Sequence, residues 1–457
     1  MDEILPDLAA LRLALAARPA GLPVSERRAA LDRLHAAVRA REAPLVAALK
    51  ADFGKGAVEV RLTELLPLYQ ELRLARRRLR AWARGRRVWP DLVMLGTSAR
   101  VIPEPKGLCL IFGPSNYPFM LTLGPLVSAI AAGNRVVVKP SELTPHTAAL
   151  LADLIAEAFA PDHVAVAQGG PETAQALLAQ PFDHVFFTGS TGIGKQVMAA
   201  AAPHLASVTL ELGGKSPVIV GPGADIAKAA RMVAWGKLSN GGQACVAPDH
   251  LYLAASIAAP FLTALTAELA RMAPDMAGSI TPRHAARMQA LLDDAAAKGA
   301  RLLPAGQQPP GAVQPIVLTG TTAGMAVMQE EIFGPLLPVI EYDDLNPVIA
   351  TLNAGPKPLT LYVFDRDPAF IDRIRRETRS GSVAVNLTMA HFAHPNLPFG
   401  GIGASGQGAA HGHAGFLAFS HDKPVVVNRF SALPLLMPPV TGRVRWMAGA
   451  LLAWIRR

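Results

Sequence analysis

Four short apolar runs, at residues 108–112, 135–138, 164–167 and 184–187, alternate with stretches whose apolar positions recur at helical spacing. Few folds accept that pattern. A strand apolar on both faces must be covered on both, and parallel strands joined by crossover helices provide the cover. A second series, at 251–253, 336–340, 361–364 and 383–385, follows Cys245. The chain is therefore expected to be α/β with two parallel lobes, and its 457 residues suit that division. The part before residue 88 reads as helices. Ser25 is a candidate N-cap for a stretch running to Lys50, with Pro44 starting a second helix. Residues 52–56 break the pattern, and helical spacing resumes from 58 to 82. Residues 88–105, with Gly96 in the middle and prolines near both ends, predict a hairpin.

With 51% hydrophobic and 17% charged residues, the chain can bury a core and is not disordered. Its net charge of +9 raises nucleic acid as a partner. The densest basic run, from Arg76 to Arg87, carries only Trp82 close by as an aromatic, with Trp89 just beyond, so it reads as a solvated helix face, not a stacking platform. No nucleic-acid partner is expected. Two cysteines, Cys109 and Cys245, make no disulfide framework and point to a reducing, cytoplasmic setting. Asp2 and Glu3 at the start argue against a signal peptide. Residues 446–455 are unbroken apolar sequence between Arg443, Arg445, Arg456 and Arg457. Ten helical residues reach ~15 Å against roughly 30 Å of bilayer hydrocarbon, so this tail can lie on a membrane as a peripheral contact but cannot span one.

Three segments carry chemistry. Gly189, Ser190, Thr191, Gly192, Ile193, Gly194 and Lys195 follow an expected strand and open a helix, which suits a phosphate approached by backbone N–H groups. The segment also approximates the phosphate loop of ATPases, but Gln196 stands where a magnesium-binding hydroxyl belongs. Cys245 sits in a polar, glycine-rich stretch from Asn240; alone, it is equally a reactive thiol or a small buried hydrophobe. Cys109, inside an apolar strand, is assigned the second role. Glu211, flanked by leucines and followed by Gly213 and Gly214, either faces solvent or lies in a cleft as a general base.

With Asn116 in the loop 113–118, these pieces form an ordered set. It comprises Lys139-Pro140-Ser141-Glu142, residues 187–194, Glu211-Leu212-Gly213-Gly214-Lys215, Gly242-Gln243-Ala244-Cys245, Glu331-Ile332-Phe333-Gly334-Pro335 and Leu397-Pro398-Phe399-Gly400-Gly401. The set resembles the aldehyde dehydrogenase superfamily over about residues 24 to 430. The segment from Cys245 to Asp249 and the stretch 405–412 resemble its class 3 branch, which takes fatty, aromatic and coniferyl-type aldehydes. The resemblance implies two Rossmann-like lobes and a small bridging sheet through which a homodimer forms. It divides the chain into a dinucleotide-binding domain (1–87 and 106–212), a catalytic domain (213–403), a bridging element (88–105 and 404–430, with a strand at 424–427) and a C-terminal amphipathic tail (431–457).

The resemblance further implies that Cys245 attacks the aldehyde carbonyl. Asn116 and the Cys245 N–H hold the oxyanion, and Glu211 activates the water that hydrolyses the thioester. NAD or NADP is the implied cofactor. Lys139 and Glu142 lie at its adenine ribose, Gly189, Ser190 and Gly194 at the pyrophosphate, Glu331 at the nicotinamide ribose and Phe333 near the ring. Tyr117, Trp235 and Phe392 are the implied lining of the aldehyde pocket. Ser115 departs from the family's usual aromatic and puts the packing of that loop in question. His391, His394, His411 and His413 fall in loops and turns with no cysteine among them, and no metal site is read there. A CoA-acylating relative would keep Cys245 but lack the hydrolytic glutamate, so Glu211 favours a free acid as product.

Overall fold

The apolar runs become strands of two sheets in the computed structural model, which describes residues 6–17, 21–91, 93–431 and 433–456. The first sheet runs in the order Gly406–Gln407, Ser207–Leu212, His184–Gly189, Leu108–Phe112, Arg135–Lys139, Val164–Val166. All of it is parallel except the short Gly406–Gln407 edge. Successive side chains of a strand point to opposite faces, so both faces need cover. Cys109 and Ile111 enter a core formed with helices Val24–Ala40, Leu66–Ala83, Met120–Ala132 and Pro145–Ala158. Leu108, Leu110 and Phe112 enter another, with Leu8, Leu11, Leu177 and Val197.

The second sheet runs Arg301–Pro304, Ile316–Thr319, Leu336–Tyr342, His250–Ala254, Pro217–Val220, Thr360–Phe364, Ser382–Val385, parallel but for the Arg301–Pro304 edge. Helices Ile226–Leu238 and Ala258–Met272 cover one face, Leu345–Ala354 and Pro368–Glu377 the other. The two expected parallel lobes are present. Pro217–Val220, near the centre of the second sheet, was not among the expected strands. It has four residues and begins on a proline, which a strand tolerates at its first position.

A third sheet is antiparallel, in the order Arg86–Val88, Thr97–Pro105, Ser420–Asn428. Its hairpin starts at Arg86 instead of residue 88, and its last strand has nine residues instead of the four at 424–427. Pro424 falls mid-strand, opposite Val101; it fits because this strand is at an edge, where no ladder N–H is required of it. Of residues 404–430, only this strand pairs here, because helix Gly412–Ala418 packs on Leu66–Ala83 and Met120–Ala132 of the first lobe.

Near the N-terminus, Ser25 is not the cap. The helix begins at Val24 with Pro23 in the cap position, and Pro44 sits in the first turn of Glu42–Phe53. Gly54, at φ +73°, closes that second helix in the left-handed region. Between Ala57–Val60 and Leu66–Ala83 the chain makes one π-helical turn, Arg61–Leu65. The turn carries Glu64 inward, where it pairs at 2.8 Å with Lys55, both side chains fully buried. The other Glu64 oxygen accepts the Met120 N–H at 2.8 Å, tying this turn to the helix behind Asn116. Lys55→Met would strand a buried carboxylate, and the expected loss of stability is about 3–5 kcal/mol, read as a lowered urea midpoint.

Candidate active site

A cleft of about 640 Å³ opens at the carboxyl ends of the first sheet's parallel strands, where open α/β sheets generally bind ligands. Each strand delivers one piece of its wall. Leu108–Phe112 leads to Ser115 and Asn116, Arg135–Lys139 to Lys139 and Glu142, His184–Gly189 to Gly189 and Ser190, and Ser207–Leu212 carries Glu211. Cys245, Glu331 and Phe333, from the second lobe, form the facing wall. These nine sequence-assigned residues (Ser115 apart) thus share one cavity.

The other four do not line it. Gly194 is buried one turn into helix Thr191–Ala201, where a Cβ would stand 2.6 Å from the Leu212 side chain; its bareness lets the helix approach the sheet. Phe392 lines a second, narrower cavity of about 30 Å³ together with Leu121 and Phe399. Tyr117 is buried against Ala244 and Ala247, with Lys55 Nζ 4.0 Å from its ring centroid. Trp235 lies on Ile226–Leu238 with 39% of its surface exposed, and lines neither cavity.

Cys245 and Glu211 line both cavities and stand where they meet. Glu211 is buried, neither carboxylate oxygen has a hydrogen-bond partner among the described residues, and burial raises its pKa well above the carboxylate range. Burial also pushes the Cys245 thiol up, with Glu331 and Glu211 adding to the effect; the N–H groups of Cys245 and Val246 oppose it. Glu331 is raised to about 7, chiefly by burial, against a hydrogen bond from the Gly214 backbone. Gly213 leaves its room: a Cβ there would lie 2.0 Å from Glu331 Oε2.

The loop before the cysteine is held by amides. Asn116 Nδ2 donates to the Gln243 carbonyl at 3.0 Å, and Asn240 Nδ2 donates to the Asn116 carbonyl at 2.8 Å. The Gln243 amide spans the loop, donating to the carbonyls of Asn240 and Gly278 and accepting the Ile280 N–H. Asn240 itself sits at φ +55°, and its N–H is taken by the half-buried Glu59 carboxylate at 2.5 Å. Phe333, Asn386, Met389 and His411 also have positive φ. Such backbone is costly for residues with a side chain and gathers at functional sites. One Asn116 amide hydrogen remains free of the Gln243 bond and can serve a ligand.

The sequence alone assigns no role in the site to Lys55, Glu59 or Glu64, and marks Gln243 only as a member of the segment before Cys245. The acids carry helical spacing like any surface charge, and only for Glu64 does the π-helical turn make a difference. The histidines have ordinary partners. His411 Nδ1 lies 3.2 Å from Glu71, and His391 Nε2 lies 3.2 Å from the hydroxyls of Thr360 and Ser382.

The cleft suits a dinucleotide. Ser190 caps helix Thr191–Ala201, whose N-terminus faces the cavity; Ala174, Leu178, Ile193 and Val197 make an apolar slot beside it. Lys139, nearly buried, pairs with Glu142 at one end, and Glu331 Oε1, without a partner among the described residues, lies on the facing wall.

The model of the aldehyde dehydrogenase family matches residues 8–425. A probable coniferyl aldehyde dehydrogenase of Pseudomonas aeruginosa is 43% identical over 406 residues, covering 86% of this chain and 85% of that protein. Aldehyde dehydrogenase family 3 member A2 of Mus musculus is 40% identical, covering 93% and 89%. Among solved structures, the substrate-bound state of Staphylococcus aureus AldH superposes with a TM-score of 0.92 at 36% identity, over 97% of this chain and 98% of that one. A Mycobacterium tuberculosis aldehyde dehydrogenase complexed with NAD+ gives 0.84 at 27% identity, over 93% and 89%.

Proposed function

Since the chain belongs to the aldehyde dehydrogenase family, with class 3 relatives among its matches, we propose that it oxidises apolar aliphatic or aromatic aldehydes to carboxylic acids through a thioester on Cys245. The observation that carries this reading is the shared position of Cys245 and Glu211 at the junction of the two cavities. A nucleophile and a base that both face a dinucleotide cleft and an apolar channel have the layout the chemistry needs. The second cavity, with Leu121, Phe392 and Phe399 in its wall, favours an apolar substrate body. The names of the relatives point the same way.

In this mechanism Cys245 Sγ adds to the carbonyl carbon, and the free amide hydrogen of Asn116 with the Cys245 N–H receives the oxyanion. Loss of hydride from the thiohemiacetal leaves the thioester. Glu211 then removes a proton from the water that attacks it, and the thiol is released with the acid. When bound, NAD or NADP supplies the hydride acceptor. Lys139 and Glu142 hold its adenosine ribose, Gly189 and Ser190 its phosphates, and Glu331 the nicotinamide ribose with Phe333 beside it. Glu142, already paired with Lys139, leans toward NAD by repelling a 2′-phosphate. A panel of aliphatic and aromatic aldehydes assayed with NAD and with NADP tests substrate class and cofactor together; no oxidation of any of them would overturn the reading.

The site also dictates a pH dependence. Glu211 acts ionised and burial raises its pKa, so deacylation falls as pH drops through that raised value and is restored above it. The Cys245 thiol, raised too, acts in the same direction. Steady-state rates should climb from the acid side well past the ordinary carboxylate range. A rate that is flat from pH 5 upward would contradict the role given to Glu211.

We also propose a homodimer formed through the outer Ser420–Asn428 strand, whose far edge pairs with no strand among the described residues and whose Val426 and Val427 are exposed. Two unpaired cysteines suit a cytoplasmic setting. No helix among the described residues is long and apolar enough to cross a membrane. The tail helix Gly442–Ile455 nevertheless has no buried residue and exposes Trp446, Leu452 and Trp454 beside Arg443 and Arg445. No acid follows Asp422 in the sequence. Peripheral contact with anionic lipid fits this composition. Deleting the chain after Pro439 is expected to abolish salt-sensitive co-sedimentation with anionic vesicles and to leave oxidation of short aldehydes nearly unchanged. Absence of the full chain from vesicles at low salt would reject the contact.

A further inference from the structure

Lys215 closes the Glu211-Leu212-Gly213-Gly214-Lys215 segment, and Asp249 lies four residues beyond Cys245. Neither lines the cleft. Lys215 Nζ reaches Asp249 Oδ2 at 2.6 Å, the Val327 carbonyl at 2.9 Å and the Glu330 carbonyl at 2.9 Å. All three ammonium donors are thereby used. The second Asp249 oxygen, Oδ1, accepts the Ile332 N–H at 2.9 Å, and the Asp249 N–H donates to the Ser216 carbonyl at 2.9 Å. Asp249 is nearly fully buried. The pair therefore grips the chain on both sides of Glu331, at the carbonyl before it and the N–H after it, and joins that grip to the strand leaving the cysteine loop. The Glu331 carboxylate receives a backbone hydrogen bond from Gly214, and its Oε1 has no partner among the described residues, while the Glu331 carbonyl accepts from the Arg287 guanidinium, which also reaches the Ile332 carbonyl at 2.9 Å. The place of its carboxylate in the cleft is thus set by the tethers on the surrounding backbone more than by the carboxylate's own bonds.

We propose that Lys215 and Asp249 act as one positioning unit that fixes the Glu331 loop against the Cys245 loop and so sets the alignment for hydride transfer, without touching aldehyde or dinucleotide. The inference rests on the reading of Glu331 as the nicotinamide-ribose ligand. A carboxylate released by a fraction of an ångström to an ångström misaligns the reacting centres, and displacements of that size can cost on the order of 100-fold in rate. Asp249→Asn keeps the acceptor for the Ile332 N–H but removes the charge that holds Lys215. Lys215→Met, at the more exposed member, breaks the grip from the other side.

The test compares two reactions of the same cysteine. Hydride transfer is read as the single-turnover burst of reduced cofactor, and p-nitrophenyl acetate hydrolysis without dinucleotide reads the thiol and Glu211 alone. For both variants the burst rate is expected to fall by about 10- to 100-fold while ester hydrolysis falls by less than about threefold. NAD affinity by fluorescence titration should weaken only slightly, because the Lys139 end is untouched. In a Glu331→Gln background, Asp249→Asn should add little further loss. Equal losses in burst and ester hydrolysis would overturn the proposal, making the pair a support of the cysteine loop. An unchanged burst in both variants would overturn it as well. If Glu331→Gln alone leaves the burst intact, the ribose reading fails; if Glu331→Gln slows the burst and the pair variants do not, only the positioning unit fails.

Discussion

Cys245→Ala is expected to abolish aldehyde oxidation, with a loss of at least about 1,000-fold, while NAD titration stays close to that of the unaltered protein. In the proposed mechanism the thiol sulfur becomes bonded to substrate, and no other cysteine can replace it. Cys109 is buried inside Leu108–Phe112 and its thiol is strongly disfavoured from ionising, first by burial and then by Asp183. Cys109→Ala should therefore keep activity and cost about 1–2 kcal/mol of stability through lost packing. Dinucleotide affinity survives Cys245→Ala because Lys139, Gly189 and Ser190 lie on the opposite wall. A variant retaining a tenth of the original oxidation rate would remove Cys245 from the mechanism.

Glu211→Gln should separate the two halves of the reaction. In the proposed mechanism acylation and hydride loss precede the attack of water, so a burst of reduced cofactor near one per active site is expected. Turnover after it should be slower by about 100-fold or more, the usual contribution of a general base. Glutamine is nearly isosteric, and the side-chain oxygens of Glu211 have no hydrogen-bond partner among the described residues, so little packing changes. Stopped-flow absorbance of the reduced cofactor reads both phases. Loss of burst and turnover in equal measure would assign Glu211 an earlier task, such as activating the thiol.

These roles were partly legible in the chain itself. Strands such as Leu108–Phe112 and Thr360–Phe364 are apolar along their whole length because both faces are covered, and that signal survives without a structure. Pro217–Val220 and Ile316–Thr319 gave little, being four residues long and lodged among prolines and glycines. Pro424 shortened the expected outer strand because a proline is admissible there only at an edge, and edges are a property of the whole sheet. Cys245 on its own is ambiguous; the order of the surrounding segments favours the reactive thiol, and the fold places it with Glu211 and Asn116 in one cleft. Trp235 was misleading for a different reason: its helix turns it away from both cavities. The Lys55–Glu64 pair and the Lys215–Asp249 tether depend on contacts across elements, which no local pattern encodes.

The covalent thioester is the claim on which the rest depends, and intact-protein mass spectrometry addresses it directly. Glu211→Gln protein is mixed with an aromatic aldehyde and NAD, quenched in acid at the end of the burst, and weighed. A thioester adds the mass of the aldehyde less two hydrogens, which separates it from a thiohemiacetal or a non-covalent adduct. The expected result is that increment, mapped by peptide digestion to Cys245 and absent from the Cys245→Ala, Glu211→Gln double variant. A burst of reduced cofactor with no mass increment, or with the increment on any other residue, would contradict the mechanism.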